Sequence, residues 1–169
     1  MLLIQRPDTI CQVINLFDAG DAEPLNHLTA AIKKIKIKPN EWKTILTKAP
    51  STIPVIAYAA VNHHTKLLVM LSPHLKKINL SSTEWKHIIT TFPQTIMDIA
   101  YAAPMGHPQL LLALTPHLNA INLSPIEWNN IIISSPRTIS HIIIAAIHGH
   151  PALLEALTSN PNNSKLTPT

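Results

Sequence analysis

Apolar positions along this chain recur at i, i+3, i+4 and i+7 over short stretches that proline and threonine interrupt. That spacing predicts a series of short amphipathic helices. The stretch 79–118, NLSSTEWKHIITTFPQTIMDIAYAAPMGHPQLLLALTPHL, shows the plan. Ser81 and Glu84 form an S-x-x-E capping box that opens a helix, whose apolar stripe is Trp85, Ile88 and Ile89. Pro93 ends it. Thr95 is expected to cap a second helix, with Ile96, Ile99, Ala100 and Ala103 on its apolar face. Gly106-His107-Pro108 makes a turn, Leu110, Leu111 and Leu114 mark a third helix, and Thr115-Pro116-His117-Leu118 starts a further helical turn.

The same order of parts returns along nearly the whole chain. Trp42, Trp85 and Trp128 stand 43 residues apart; Pro7, Pro50, Pro93 and Pro136 keep that step, as do Leu25, Leu68, Leu111 and Leu154. A fixed period of about 20–50 residues predicts stacked supersecondary units. The reading is an all-α solenoid in one domain, 1–158, made of a partial unit, 1–36, and full units 37–79, 80–122 and 123–158. A polar tail, 159–169, is expected to fray. Helices of about ten residues are marginal alone in water, so packing between units must hold them. The pairs Ala59-Ala60, Ala102-Ala103 and Ala145-Ala146 let helices approach closely.

The copies differ in ways that carry predictions. Ser124 with Glu127 repeats the capping box, but Lys38 replaces the serine in the first full unit and weakens its cap. Pro39 and Pro125 sit just inside the helix start, a favoured slot. Thr52 and Thr138 take the place of Thr95, and Pro54 requires its helix to begin near Thr52. In the partial unit, Asp8–Asp18 reads as a helix with Ile10, Val13, Ile14 and Phe17 inward, followed by the turn AGDAEP. Glu23–Lys36 should run unbroken, because Ala30 stands where later copies have proline.

The scarcity of glycine, 3 in 169 residues against 15 prolines, argues against many β-hairpins. Cys11 is the only cysteine, so no intrachain disulfide forms and a reducing, cytoplasmic setting is the simpler expectation. The opening apolar run is too short for a signal peptide, and no stretch reaches the ~18 apolar residues of a membrane span.

At TIMDIAYAAPMGHPQLLLAL the chain resembles an ankyrin repeat. The likeness lies in a threonine-led helix ending in Ala-Ala, two spacer residues, Gly-His, and a leucine-rich second helix, with Asn79 or Asn122 near the next unit. It covers about half of each unit. The family's unit is about 33 residues. The surplus here holds the Trp-bearing helix, NLSSTEWKHII, and Pro-x-Thr-Ile replaces the family's Thr-Pro-Leu-His start. What the resemblance implies is a divergent, right-handed ankyrin-like solenoid that binds proteins without catalysis or cofactor. Ankyrin-like arrays rich in Ile, Lys and Asn also resemble effectors that intracellular bacteria deliver, which implies action in the host cytoplasm.

Charge supplies the candidate site. The net charge is +4, but residues 33–86 alone hold ten lysines against Glu41 and Glu84. Lys33 with Lys76, Lys34 with Lys77, and Lys43 with Lys86 keep the 43-residue step and would form a basic stripe, where the third copy has Asn119, Ala120 and Asn129. The stripe reads either as a solvated face or as a docking strip for an acidic protein; nucleic acid or an anionic membrane is the alternative partner. Little arginine and few aromatics in the strip weigh against nucleic acid. His64, His107 and His150 share one place in the period, which favours imidazoles bonding backbone groups in each turn; the pairs His63-His64 and His148-x-His150 lack a familiar zinc spacing. The tryptophans, each followed by an Ile or Leu pair, read as core. No phosphate loop, nucleophile elbow or His-Glu-x-x-His is present, so no enzyme activity is expected.

Overall fold

Prolines, capping boxes and left-handed residues divide the chain into its elements. The computed structural model describes residues 5–18, 23–62 and 64–159. Every regular element among them is helical: α1 (Thr9–Asp18), α2 (Glu23–Ile35), α3 (Pro39–Lys48), α4 (Thr52–Val61), α5 (Lys66–Leu71), α6 (Leu75–Ile78), α7 (Ser82–Thr91), α8 (Gln94–Ala102), α9 (Gln109–Leu114), α10 (Leu118–Ile121), α11 (Pro125–Ser134), α12 (Thr138–Ile147) and α13 (Ala152–Thr158). 3-10 turns at Ser72–His74 and Thr115–His117 join α5 to α6 and α9 to α10. The expected turn through 19–22, residue His63, the tail beyond 159 and the side chain of Phe17 lie outside the described residues.

The start signals behave as their chemistry requires. The Ser81 and Ser124 hydroxyls each accept from the main-chain N–H of the glutamate three residues on, at 3.2 Å. Glu84 and Glu127 reach back to accept from the serine N–H at 2.7 Å. In the first full unit only the second half survives, with Lys38 N–H donating to Glu41 Oε2 at 2.7 Å. As expected from Ala30, α2 runs unbroken, whereas Pro73 and Pro116 force the 3-10 turns in later units.

The threonines correct one expectation. Thr95 and Thr138 do not cap by accepting at the helix start. Their hydroxyls donate backward, to Phe92 O and Ser135 O, each at 2.6 Å. Both side chains are fully buried, so each hydroxyl must find its acceptor inside, in the carbonyl of the turn it has just left. The equivalent Thr52 points its hydroxyl toward the Cys11 thiol, 3.6 Å away on α1.

The histidine turns share one recurrent main-chain bond. The recurrent bond is made by the main-chain N–H of His64, His107 and His150, to Ala59 O, Ala102 O and Ala145 O at 2.8, 3.0 and 2.9 Å. Gly106 and Gly149 allow that turn with φ of +92° and +89°.

Successive units meet through equivalent elements. α4 packs along α8 and α8 along α12; α1 meets α4 at one end. α2 meets α5, α6 meets α9, and α10 meets α13. The Trp-bearing helices α3 and α7 close against α6 and α10 of their own units. Trp42, Trp85 and Trp128 are buried within one continuous cluster of Ile, Leu and Ala. The places of Ala60 and Ala103, both buried, keep α4 and α8 close to their neighbours.

Each unit's last helix ends on a left-handed residue: Lys36, Asn79 and Asn122, at φ of 53°, 44° and 43°. Asparagine tolerates that conformation, but lysine pays a steric penalty there. Lys36→Asn should therefore raise unfolding stability by about 0.5–1 kcal/mol. Urea denaturation followed by circular dichroism checks this, and an unchanged midpoint would contradict it.

Candidate functional site

The six lysines singled out by their spacing fall into two groups. Lys43, on α3, places Nζ 3.0 Å from Glu84 Oε2 and donates to Asn79 O at 3.3 Å. Lys86, on α7, repeats this with Glu127 at 3.0 Å and Asn122 O at 3.3 Å. Each ammonium thus ties the left-handed end of one unit to the capping glutamate that opens the next. Partial burial alone would raise the Glu84 and Glu127 carboxyls. The serine main-chain N–H, the lysine and the serine hydroxyl outweigh it, and both carboxyls lie below their usual range. These two lysines are used inside the structure.

Lys33 and Lys34 close α2, and Lys76 and Lys77 close α6, all four exposed. A helix C-terminus favours cations, so this placement has a structural reason of its own.

Lys76 also borders a groove. Between α6 of one unit and α9 of the next lies a cavity of about 450 Å³, floored by Leu75, Ile78 and Trp85 and walled by Leu112, Pro116 and His117. Leu112 is 60% exposed, so the groove offers apolar surface to solvent. Gln109 lines it too; its side-chain oxygen is buried and meets no donor among the described residues. His117 Nδ1 lies 3.3 Å from Ser82 Oγ. One period on, the same groove narrows to about 140 Å³ against Leu118, Ile121 and Trp128, with Asn119 in the place of Lys76. The lysine spacing located one rim residue, Lys76. The groove itself depends on how two units sit together, which no local pattern displays.

A second constellation lies on α8 and α12. The Tyr101 ring stacks on His141, with centroids 4.6 Å apart and planes 10° from parallel. Burial, and then the positive charge of Arg137, lower the His141 pKa. Its Nδ1 is buried without a hydrogen-bond partner among the described residues. One turn before Tyr101, Asp98 is buried, and loss of water pushes its carboxyl up to about 7. The signal for Asp98 was available in the sequence, as a carboxylate inside the apolar run TIMDIAYAA where the preceding copy has Val55. No three His, Cys, Asp or Glu side chains converge as a metal cluster among the described residues. No single helix among them is long and apolar enough to cross a membrane.

Comparison with known proteins finds no matching family model, no matching curated protein and no matching solved structure.

The Asp98 carboxyl makes stability depend on pH with a definite sign. In the unfolded chain it releases its proton near pH 4, whereas in the folded chain it holds it to about pH 7. Between those values the folded state binds the extra proton, so stability falls as pH rises and then levels off. Asp98→Asn should therefore leave stability unchanged near pH 4 and raise it by roughly 2–4 kcal/mol at pH 8. Thermal melts of both proteins across that range measure it; parallel curves would show that the aspartate ionises freely.

Proposed function

We propose that this chain is a non-catalytic protein-binding scaffold, a right-handed ankyrin-like α-solenoid, and that it takes an acidic, apolar segment of a partner protein. The observation that carries this reading is the groove between consecutive units, apolar on its floor and edged by Lys76. An apolar side chain of the partner would fill the space over Leu75, Ile78 and Leu112. A neighbouring carboxylate would pair with Lys76, and a backbone N–H would satisfy the Gln109 oxygen. Interfaces gain most of their energy from such a small, desolvated centre.

Two further points support it. With Lys43 and Lys86 engaged by glutamates, Lys33, Lys34, Lys76 and Lys77 are the members of the spaced set whose ammonium groups remain for a partner. The titratable side chains lining the groove, Lys76 and His117, form no nucleophile–base or acid–base pair.

The test is a displayed-peptide selection with this chain as bait. Enriched peptides should combine an aliphatic or aromatic residue with Asp or Glu. Lys76→Glu or Leu112→Asp, both at exposed positions, should weaken them at least about tenfold, the size of one interaction of roughly 1.4 kcal/mol. Lys48→Glu, an exposed change away from the groove, should leave them unaffected. Equal binding by Lys76→Glu would remove the groove as the site. A steep loss with salt, together with preference for nucleic acid or anionic vesicles over the peptides, would point to a phosphate-reading surface instead.

A further inference from the structure

One pair of places in the period sets the second unit boundary apart from its neighbours. The pair is Asn26 with Lys66 at the first boundary, Val69 with Gln109 at the second, and Leu112 with Ala152 at the third. At the first, the Lys66 ammonium donates to Asn26 Oδ1 at 3.1 Å and ties α5 to α2. At the second, Val69 stands in the place of Asn26, 64% exposed and without a side-chain group to bond. Gln109, in the place of Lys66, lines the groove, and its buried side-chain oxygen meets no donor among the described residues. At the third, Leu112 and Ala152 have no polar side-chain atom at all. The groove measures about 450 Å³ at the second boundary and about 140 Å³ at the third. The wider groove is therefore also the one with an unanswered acceptor.

Buried polar groups are nearly always paired, because a buried acceptor without a donor is costly. A partner that brings a donor removes that cost, so the Gln109 oxygen selects what enters. The form of the occupant follows from where donors are found. Beyond the first turn of a helix, main-chain N–H groups are already bonded four residues back. An extended segment keeps its N–H groups free at every residue other than proline. A cationic side chain is the other source of a donor, and charge opposes it. Neither 64–78 nor 107–121 contains Asp or Glu, and Lys76 edges the groove. Glu84, on the helix that carries Trp85, is held by Lys43. The donor that fits this surface is a main-chain N–H with carboxylates nearby.

On the reading that this groove takes an acidic segment of a partner protein, we propose that the bound segment is extended and that Gln109 is the residue that reads its main chain. An aliphatic side chain enters over Leu75 and Ile78, a flanking carboxylate faces Lys76, and a main-chain N–H donates to Gln109 Oε1. Main-chain bonding of this kind supplies affinity, and the pocket for the side chain supplies selectivity.

Two displayed libraries of acidic, apolar peptides of about twelve residues test this, one linear with a fixed central proline that bars a continuous helix, the other carried on a helical hairpin. The linear library should yield binders that Lys76→Glu weakens, and the helical one should yield none. Gln109→Met removes the amide and keeps the reach of the side chain. It should weaken the linear binders about tenfold, the size of one hydrogen bond. Its melting temperature should be no lower than the parent's, because an unpaired buried oxygen has been removed. Gln109→Leu should behave alike. Helical binders that Lys76→Glu weakens, or linear binders indifferent to both Gln109 variants, would overturn the proposal and leave the groove as the binding site. A lower melting temperature in both variants would show that the chain itself uses the oxygen, and would overturn it too. An absence of binders sensitive to Lys76→Glu in either library would remove the groove reading, and this proposal with it.

Discussion

A helix of ten residues cannot hold its own hydrogen bonds against water, and among the described residues only α2, with 13, is longer. What keeps each helix formed is the apolar face that neighbouring elements lay over it. Ile10, Ile53 and Ile96 illustrate the dependence: each is fully buried on a helix, α1, α4 or α8, that packs against the equivalent helix of the following unit. The rest of the structure serves that contact. Small residues at Ala57 and Ala100 let α4 and α8 be covered closely, and the buried indoles fill the wider space beneath the Trp-bearing helices.

Once covering is the main constraint, the polar groups at the unit boundaries acquire a common purpose. A boundary is where one helix ends in a left-handed asparagine and another begins at a capped serine, so unsatisfied carbonyls and N–H groups concentrate there. One lysine answers both needs, with Lys43 bonding the Asn79 carbonyl and the Glu84 carboxylate that caps the next helix. An exposed ion pair contributes little to stability. These pairs are half-shielded and bonded to the cap, and they fix the register between units more than they add energy. Asp98 departs from this pattern, since its carboxyl is buried and loss of water holds it protonated to about pH 7.

Much of this was legible in the residues. The 43-residue step, the capping boxes, the unbroken α2 and the buried tryptophans all follow from local rules, because propensity, capping and period are written in neighbouring positions. The threonine hydroxyls were misjudged because the same residue at the same place can accept from a forward N–H or donate to a backward carbonyl, and only burial decides. The lysine series was read as one stripe because spacing says nothing of which ammonium finds a carboxylate 41 residues on, as Lys43 and Lys86 do. The groove over Trp85 belongs to the relative placement of two units, a property that neither unit's sequence carries alone.

Periodicity also separates structure from use. Where the copies agree, at the tryptophans, the helix-opening glutamates and the buried threonines, the residues answer a packing or hydrogen-bonding need that every unit shares. Where they disagree, no such shared need holds them. The groove has Lys76 in one copy but Asn119 in the next. The stretch of α8 and its counterparts has Asp98 where the other copies have Val55 and His141. α12 has exposed Ile143 where α4 and α8 have buried Ala57 and Ala100. Packing of equivalent helices alone would be served by the same residue at each of these places. The three departures fall on the groove, the buried carboxyl and the exposed side of α12, the places whose chemistry the common fold does not explain.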